Sequence, residues 1–313
     1  MEKRIHYREK ALEFLPLVST VVVIVFFQIV TKGRLLSVNN LAVLTNQLFT
    51  VLLIAMAAVF VYAHGCMDIS IGSSVGCGML VGTLVTIYSG SILLGFLMIM
   101  VFCTGVGFTN GILSANFREL PYLPTLCMMF VLRAILAYAG NIQTFKISNE
   151  YAVYDNIYLK VIALVVCGAV SLFLYNYTKV GRFNKAMGGN QKAAEQLGVN
   201  LAKYKTIAFT LVGIYSGIAA CFLMVRTRSV VAESGSGIEF DVMVSLIYGG
   251  LPLSGGSKAK FSATILGSII MTVLGNGMIM WGMSVGMVAL VKAIIFLILV
   301  AFSYTRTPGP LPR

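Results

Sequence analysis

Residues 41–63 read LAVLTNQLFTVLLIAMAAVFVYA, an apolar run without one charged residue. A helix rises about 1.5 Å per residue, so about 20 apolar residues cross the roughly 30 Å hydrocarbon core of a bilayer. The same window, moved along the chain, finds further runs at 14–30, 68–89, 91–113, 122–140, 158–177, 205–225, 240–256, 261–281 and 284–303. The expected fold is therefore an all-α membrane protein of about ten transmembrane helices. The third and eighth runs are rich in Gly and Ser. The first run follows a basic leader and ends in Gln28-Ile29-Val30-Thr31-Lys32, without a small-residue cleavage site, so it reads as a retained span.

Composition agrees. Of the 313 residues 58% are hydrophobic and only 11% charged, against about 25% charged in a soluble domain. That leaves too little polar surface for a water-soluble body, so the lipid bilayer is the expected solvent. The net charge of +12 does not indicate nucleic acid, because the basic residues sit at the ends of apolar runs, as topology signals do. The six cysteines form no CxxC pair, and His6 and His64 are too few and too far apart to build a metal or redox site. No metal or cofactor is expected.

With the N-terminus inside, ten spans return the C-terminus to the inside. The inner side then holds Lys3, Arg4, Arg8, Lys10, Arg118, Lys179, Arg182, Lys185, Lys192, Lys203, Lys205, Lys258, Lys260, Arg306 and Arg313. The outer side holds Lys32, Arg34, Lys146, Lys160, Arg226 and Arg228, with Glu150, Asp155, Glu233 and Glu239 on outer loops. This excess of inner basic residues predicts cytoplasmic termini. Residues 1–313 form one membrane domain, and 178–204 is its only sizeable cytoplasmic loop. No Gly-x4-Gly-Lys-Ser/Thr phosphate loop occurs; Gly255-Gly256-Ser257-Lys258 lacks the spacing. If transport is driven by ATP, hydrolysis belongs to another polypeptide.

Two segments break the helical pattern. Met67-Asp68-Ile69-Ser70-Ile71-Gly72-Ser73 opens the third span. It reads either as a helix capped by Asp68 or Ser70 and packed through its small residues, or as irregular backbone beside a translocation pathway. Gly249-Gly250-Leu251-Pro252-Leu253-Ser254-Gly255-Gly256 ends the eighth span as a turn or a re-entrant element. Five spans apart, the two breaks run in opposite directions through the membrane, which predicts an inverted-topology repeat. Arg133 lies near the middle of the fifth span and Lys292 inside the tenth. Each either faces the bundle interior or snorkels to an interface. No carboxylate lies at the depth of Arg133 in this reading, so carbonyls, hydroxyls or water are its expected partners.

In the inner loop, Asn190 can cap a short helix from Gln191 to Leu197, which Gly198 stops. So short a helix needs a surface to dock on. The segment is a connector or, better explained, a docking element for a soluble partner.

Gly181-Arg182-Phe183, Ala186-Met187-Gly188-Gly189-Asn190, Glu195 and Gly198-Val199-Asn200 resemble the permeases of the ribose/xylose/galactose ABC importer family, which includes importers of the autoinducer-2 signal. Asp68-Ile69-Ser70-Ile71-Gly72-Ser73 is similar to its Asp-Leu-Ser-Val-Gly-Ser signature. Asn110-Gly111, Pro121 to Met129 with Arg133, Asp241 to Gly256, Asn276-Gly277 and Lys292 follow in order, so the resemblance covers about residues 38–302. It implies a permease dimer (two copies or two paralogues), two cytoplasmic ABC ATPase subunits and an extracytoplasmic solute-binding protein, in a bacterial inner membrane. It also implies an ATPase-coupling helix over Gly188, Gly189, Asn190, Lys192, Ala194, Glu195, Gly198 and Asn200. Asp68, Ser70, Gly72, Ser73, Arg133, Asn276 and Lys292 are the expected pathway residues, for a sugar or sugar-like solute. ATP would be used by the partner subunit. Lys258, Lys260 and Ser262-Ala263-Thr264 depart from the further glycines usual in the family, as does Cys127 from its usual Gly.

Branched-chain amino-acid and nucleoside ABC permeases are the nearest alternatives. A secondary transporter would need mid-span carboxylates for ion coupling. An intramembrane enzyme would need a convergent nucleophile and base. The sequence shows neither set.

Overall fold

The computed structural model describes residues 17–117, 122–252, 255–257 and 259–303. Residues 14–16 of the expected first span lie outside these, as do Lys3, Arg4, His6, Arg8, Lys10, Arg118, Pro121, Leu253, Ser254, Lys258, Arg306 and Arg313.

The chain is helical. Helix α1 covers Leu17–Val30. Then come α2 (Val38–Ala63), α3 (Ile71–Ser89), α4 (Ile92–Asn116), α5 (Leu123–Ile142), α6 (Ile157–Tyr177), α7 (Lys179–Gly189), α8 (Gln191–Gln196), α9 (Leu201–Thr227), α10 (Ile238–Tyr248), α11 (Ser262–Met280) and α12 (Val285–Ser303). Strands β1 (Phe145–Lys146) and β2 (Ser229–Val230) pair antiparallel at one end of the bundle. At the opposite end lie α7 and α8. Among the described residues, seven helices, α2 to α6, α9 and α11, are long and apolar enough to cross a membrane; α1 and α12 contribute shorter apolar stretches.

The expected eighth span is corrected. Residues 240–256 do not form one helix. Helix α10 stops at Tyr248, and at about 1.5 Å per residue its length is about half a bilayer core. Glycines 249, 250, 255 and 256 lie beyond it, and Gly250, Gly255 and Gly256 have positive φ, where a side chain is strained. Before α10 runs irregular chain over 231–237, half-buried or exposed, which a hydropathy window also assigns to a loop.

The core forms where α2, α3, α4 and α9 pack, around Phe49, Phe60, Ile71, Ile99 and Phe209. Small residues set the closest approaches. Gly107 lies against Phe209 and Gly213, and Gly111 against Thr206, so the α4 and α9 backbones come nearly into contact. The packing partners exchange between halves: α4 lies on α9 and α11 on α2, α3 on α9 and α10 on α2. By contrast, α5 and α6 keep long apolar faces exposed, among them Phe130, Val131, Tyr138, Ile162, Val165 and Phe173. Helix α6 opens on Asn156, whose side chain accepts the Tyr158 N–H, and Lys160 in its first turn pairs with Asp155 and Asn46.

Candidate functional site

Helix α10 organises the site. Helix α9 ends at Arg228 in the left-handed region. After β2 the chain turns repeatedly, with Gly235 and Gly237 at positive φ, and α10 starts without a side-chain cap. Its first turn instead carries Glu239 and Asp241, negative charges placed where the unsatisfied N–H groups of a helix favour them. Residues two apart on a helix point to nearly opposite sides. Glu239 accordingly reaches Arg133 on α5, at 3.3 Å, and Asp241 accepts a 2.6 Å hydrogen bond from Lys292 on α12. Arg133 also donates to the Ser234 carbonyl at 3.1 Å.

This corrects the partner expected for Arg133. The carbonyl is present, but the charge partner is a carboxylate that the sequence reading placed on an outer loop. Irregular backbone over 231–237 carries Glu239 to the level of Arg133, itself about 15 Å along α5 from Leu123. Arg133 and Lys292 are both ion-paired and mostly buried, so neither is a snorkelling side chain.

Next to the Asp241–Lys292 pair lies a cavity of about 580 Å³ between α2, α9, α10, α11 and α12. Most of its wall is apolar. Gln47, Thr50, Arg226, Thr272 and Asn276 add polar groups, and residues 236–238 bring the start of α10 to its edge. Asn276 accepts a 2.9 Å hydrogen bond from Asn40, which holds its amide in place. Thr272 is buried, and its hydroxyl has no partner among the described residues. Of the expected pathway residues, Asn276 and Lys292 line this cavity. Thr272 and the Glu239/Asp241 pair were not nominated from sequence; two acids at the start of an apolar stretch were the available signal.

Asp68, Ser70, Gly72 and Ser73 lie elsewhere. The Asp68 carboxylate accepts from the Ser70 N–H at 2.9 Å and from the Ser70 hydroxyl at 2.7 Å, folding the turn that starts α3. Ser73 donates to the Ser70 carbonyl. Gly72 and Gly76 present a bare backbone strip on which Ser234, Gly235 and Glu239 sit. Asp68, Ser70 and Ser73 are buried, and none of the four lines the large cavity. The chain preceding α10 is thus seated on the start of α3.

At the other end, Asn190 accepts the Ala193 N–H at 3.0 Å and caps α8. Gly198, at positive φ, closes it, with the Val199 N–H donating to the Ala194 carbonyl. The expected cap and stop are both present. Helix α7 was not expected, since its glycines mask an amphipathic face of Gly181, Asn184 and Met187. Met187, Ala194 and Val199 form a small core with Phe183, Leu201 and Tyr204. Ala194 is therefore an internal support rather than a contact residue. Gly189, Lys192, Glu195, Gly198 and Asn200 are exposed, as is Leu197, whose apolar side chain is 85% accessible. Gly188 packs against Ala63 and Gly256, and the Gly256 N–H donates to the Ala63 carbonyl at 2.8 Å. Next to this junction His64 bonds Asn184 of α7 at 3.1 Å, and burial pushes its imidazole down to about 3, so it is neutral at pH 7.

A family model described as "Branched-chain amino acid transport system / permease component" matches residues 40–303. The ribose import permease protein of Escherichia coli K12 is 24% identical over 298 residues, covering 90% of this chain and 91% of that protein. The ribose import permease protein of Bacillus subtilis 168 is 28% identical over 313 residues, covering 96% and 95%. The L-arabinose ABC transporter permease protein of Azospirillum brasilense is 30% identical over 268 residues, covering 81% and 76%.

Proposed function

Because the chain belongs to the family of branched-chain amino acid transport system permease components, we propose that it is the membrane-spanning subunit of an ATP-binding-cassette importer that carries a small sugar or sugar-like solute into the cytoplasm. The sugar assignment follows the relatives, named for ribose and arabinose, and not the amino acids of the family description. One observation supports the importer reading most. The exposed α7–α8 element is joined, through Gly188, Ala63 and Gly256, to the ends of the chain segments that flank α3 and α10. A partner that moves α8 therefore acts on both breaks.

In this reading both termini and α7–α8 are cytoplasmic, in a bacterial inner membrane. The exchanged packing of α2, α3 and α4 with α9, α10 and α11 supports an inverted repeat. ATP is hydrolysed by separate ABC subunits docked on Leu197, Lys192 and Glu195. A solute-binding protein delivers solute at the opposite face, and a second permease copy or paralogue completes the pathway. Arg133, Asn276 and Lys292 act beside the solute route, and Asp68 to Ser73 hold the break at α3. The permease itself makes and breaks no bonds.

The test is reconstitution in proteoliposomes with the cognate ATPase and binding protein. ATP-dependent uptake of labelled ribose or arabinose is the expected result, with no hydrolysis by the purified permease alone. Uptake of leucine but of no sugar would shift the assignment to amino acids. ATP hydrolysis by the purified chain, surviving removal of contaminants, would refute the division of labour.

Coupling is tested at the hairpin. Lys192→Glu combined with Glu195→Lys, and separately Leu197→Asp, are expected to lower ATPase co-purification and uptake on the order of tenfold or more, as loss of a central interface contact does, with normal membrane levels. Asn190→Ala removes the α8 cap and costs about 1 kcal/mol, so its uptake should fall only partly. Parental uptake in the Leu197→Asp protein would remove α8 from the docking surface.

A further inference from the structure

His64 closes α2 and reaches across to α7. Its ring is buried, and Nδ1 lies 3.1 Å from the Phe60 carbonyl of its own helix and 3.1 Å from Asn184 Oδ1. Asn184 is buried too, and its Nδ2 donates to the Val180 carbonyl at 2.9 Å, one turn back on α7, which leaves Oδ1 toward the imidazole. An Nδ1 that faces two acceptor oxygens carries the hydrogen. The ring is neutral, so Nε2 is bare, and it has no partner among the described residues. The ring works through one nitrogen.

The turn after His64 is also fixed. Gly65, at a φ of 77°, donates to the Tyr62 carbonyl at 3.0 Å, and the Cys66 N–H donates to the Val61 carbonyl at 3.2 Å. That pair of bonds locks a helix end through a left-handed glycine. Two residues on, Asp68 folds the turn that starts α3. A displacement of Asn184 therefore passes to α3 through a bonded helix end and a bonded turn. Gly188 of α7 also meets the end of α2, against the Ala63 carbonyl, but packing of that kind resists only approach. A hydrogen bond resists separation as well. We propose that His64 is the positioning residue through which movement of α7 and α8 reaches the start of α3, its Nδ1–H holding Asn184. The proposal rests on the importer reading above.

The experiment uses the full-length permease with its cognate ATPase and binding protein in proteoliposomes. Uptake of labelled ribose or arabinose and release of phosphate are measured on the same vesicles. Amide hydrogen exchange is followed in the purified permease with and without the ATPase. His64→Ala and His64→Gln are expected to keep parental ATPase co-purification and hydrolysis. Solute carried per ATP should fall on the order of tenfold in both, the scale of one buried hydrogen bond. His64→Asn is expected to stay within about twofold of the parent, because its Nδ2 stands where the imidazole Nδ1 stood. Glutamine fills more of the space but carries its amide one carbon too far, so a role in packing alone would reverse that order. In the parent, ATPase docking is expected to slow exchange over both α8 and residues 65–71, and in His64→Ala over α8 alone. An unchanged ratio in His64→Ala, asparagine no better than glutamine, or uptake and hydrolysis falling together overturns the proposal. Protection of α8 without protection of 65–71 in the parent overturns it too. A parent complex that shows both protections and imports neither sugar refutes the sugar assignment alone, and the exchange pattern of the variants then decides the role of His64. If the ATPase does not protect α8, the docking reading fails and this proposal falls with it.

Discussion

Arg133→Leu is expected to insert into the membrane at least as well as the parent chain and to lose nearly all uptake. An arginine near the middle of a span costs at least about 2.5 kcal/mol to insert, so leucine removes an obstacle at that step. The loss comes after insertion. Arg133 is the charge partner of Glu239 and a donor to the Ser234 carbonyl, and Glu239 Oε2 already has no partner. Taking the guanidinium away leaves a mostly buried carboxylate alone, which destabilises a folded protein by on the order of 3 kcal/mol. The double variant Arg133→Leu/Glu239→Gln separates stability from transport. It should regain most of the lost thermal stability and still import poorly, because the tie between α5 and α10 is gone. Arg133→Lys should fall between, since one ammonium cannot reproduce the planar fork that serves Glu239 and Ser234 together. Uptake at matched membrane levels, with unfolding temperatures of all three proteins, is the measurement. Parental uptake by Arg133→Leu would show that the α5–α10 tie plays no part in transport.

Gly72→Ala is expected to damage the protein severely for the addition of a single methyl. A Cβ there would run into the Gly235 carbonyl oxygen and the Glu239 carboxylate. The carboxylate could swing aside only by straining its pair with Arg133, and the carbonyl belongs to a backbone that cannot retreat. Overpacking of this kind costs about 3 kcal/mol, so most of the protein should be lost as aggregate on fluorescence-detected size-exclusion chromatography. Gly105 on α4 is the matched control, for a Cβ there meets open space, and alanine is the better helix former. If Gly72→Ala elutes as the parent does, with the same unfolding temperature, then α3 does not seat the 234–235 backbone as described.

What could be read from the sequence follows from what hydropathy measures. Runs such as 41–63 and 205–225 carry their apolarity over the whole length of a helix, and α2 and α9 stand where expected. The Asn190 cap and the Gly198 stop were legible because both act within a few residues. Helix α10 starts close to where the eighth run was expected and stops at Tyr248, short of the expected end, because a hydropathy window runs on through the glycines at 249 and 250. The conspicuous glycines at 249–256 marked that end, and Val231 to Gly237, half-buried or exposed, read as the loop that precedes the helix. Arg133 and Glu239 are 106 positions apart, and no local pattern announces such a pair. Nor does any pattern announce that Asn110 turns its amide toward Ser70, which depends on α3 and α4 already being packed.

Helix α10 is held by its flanks. Glu239 and Asp241 leave it on nearly opposite sides, one toward α5 and the other toward α12. A sideways step that shortens one ion pair must lengthen the other, so lateral displacement meets a restoring force in both directions. Sliding along its own axis shifts both carboxylates alike, and neither is pulled against its twin. The same two charges therefore brace α10 across its width, while close backbone contacts of Ser245 with Gly267 and of Gly249 with Ala263 seat it on α11.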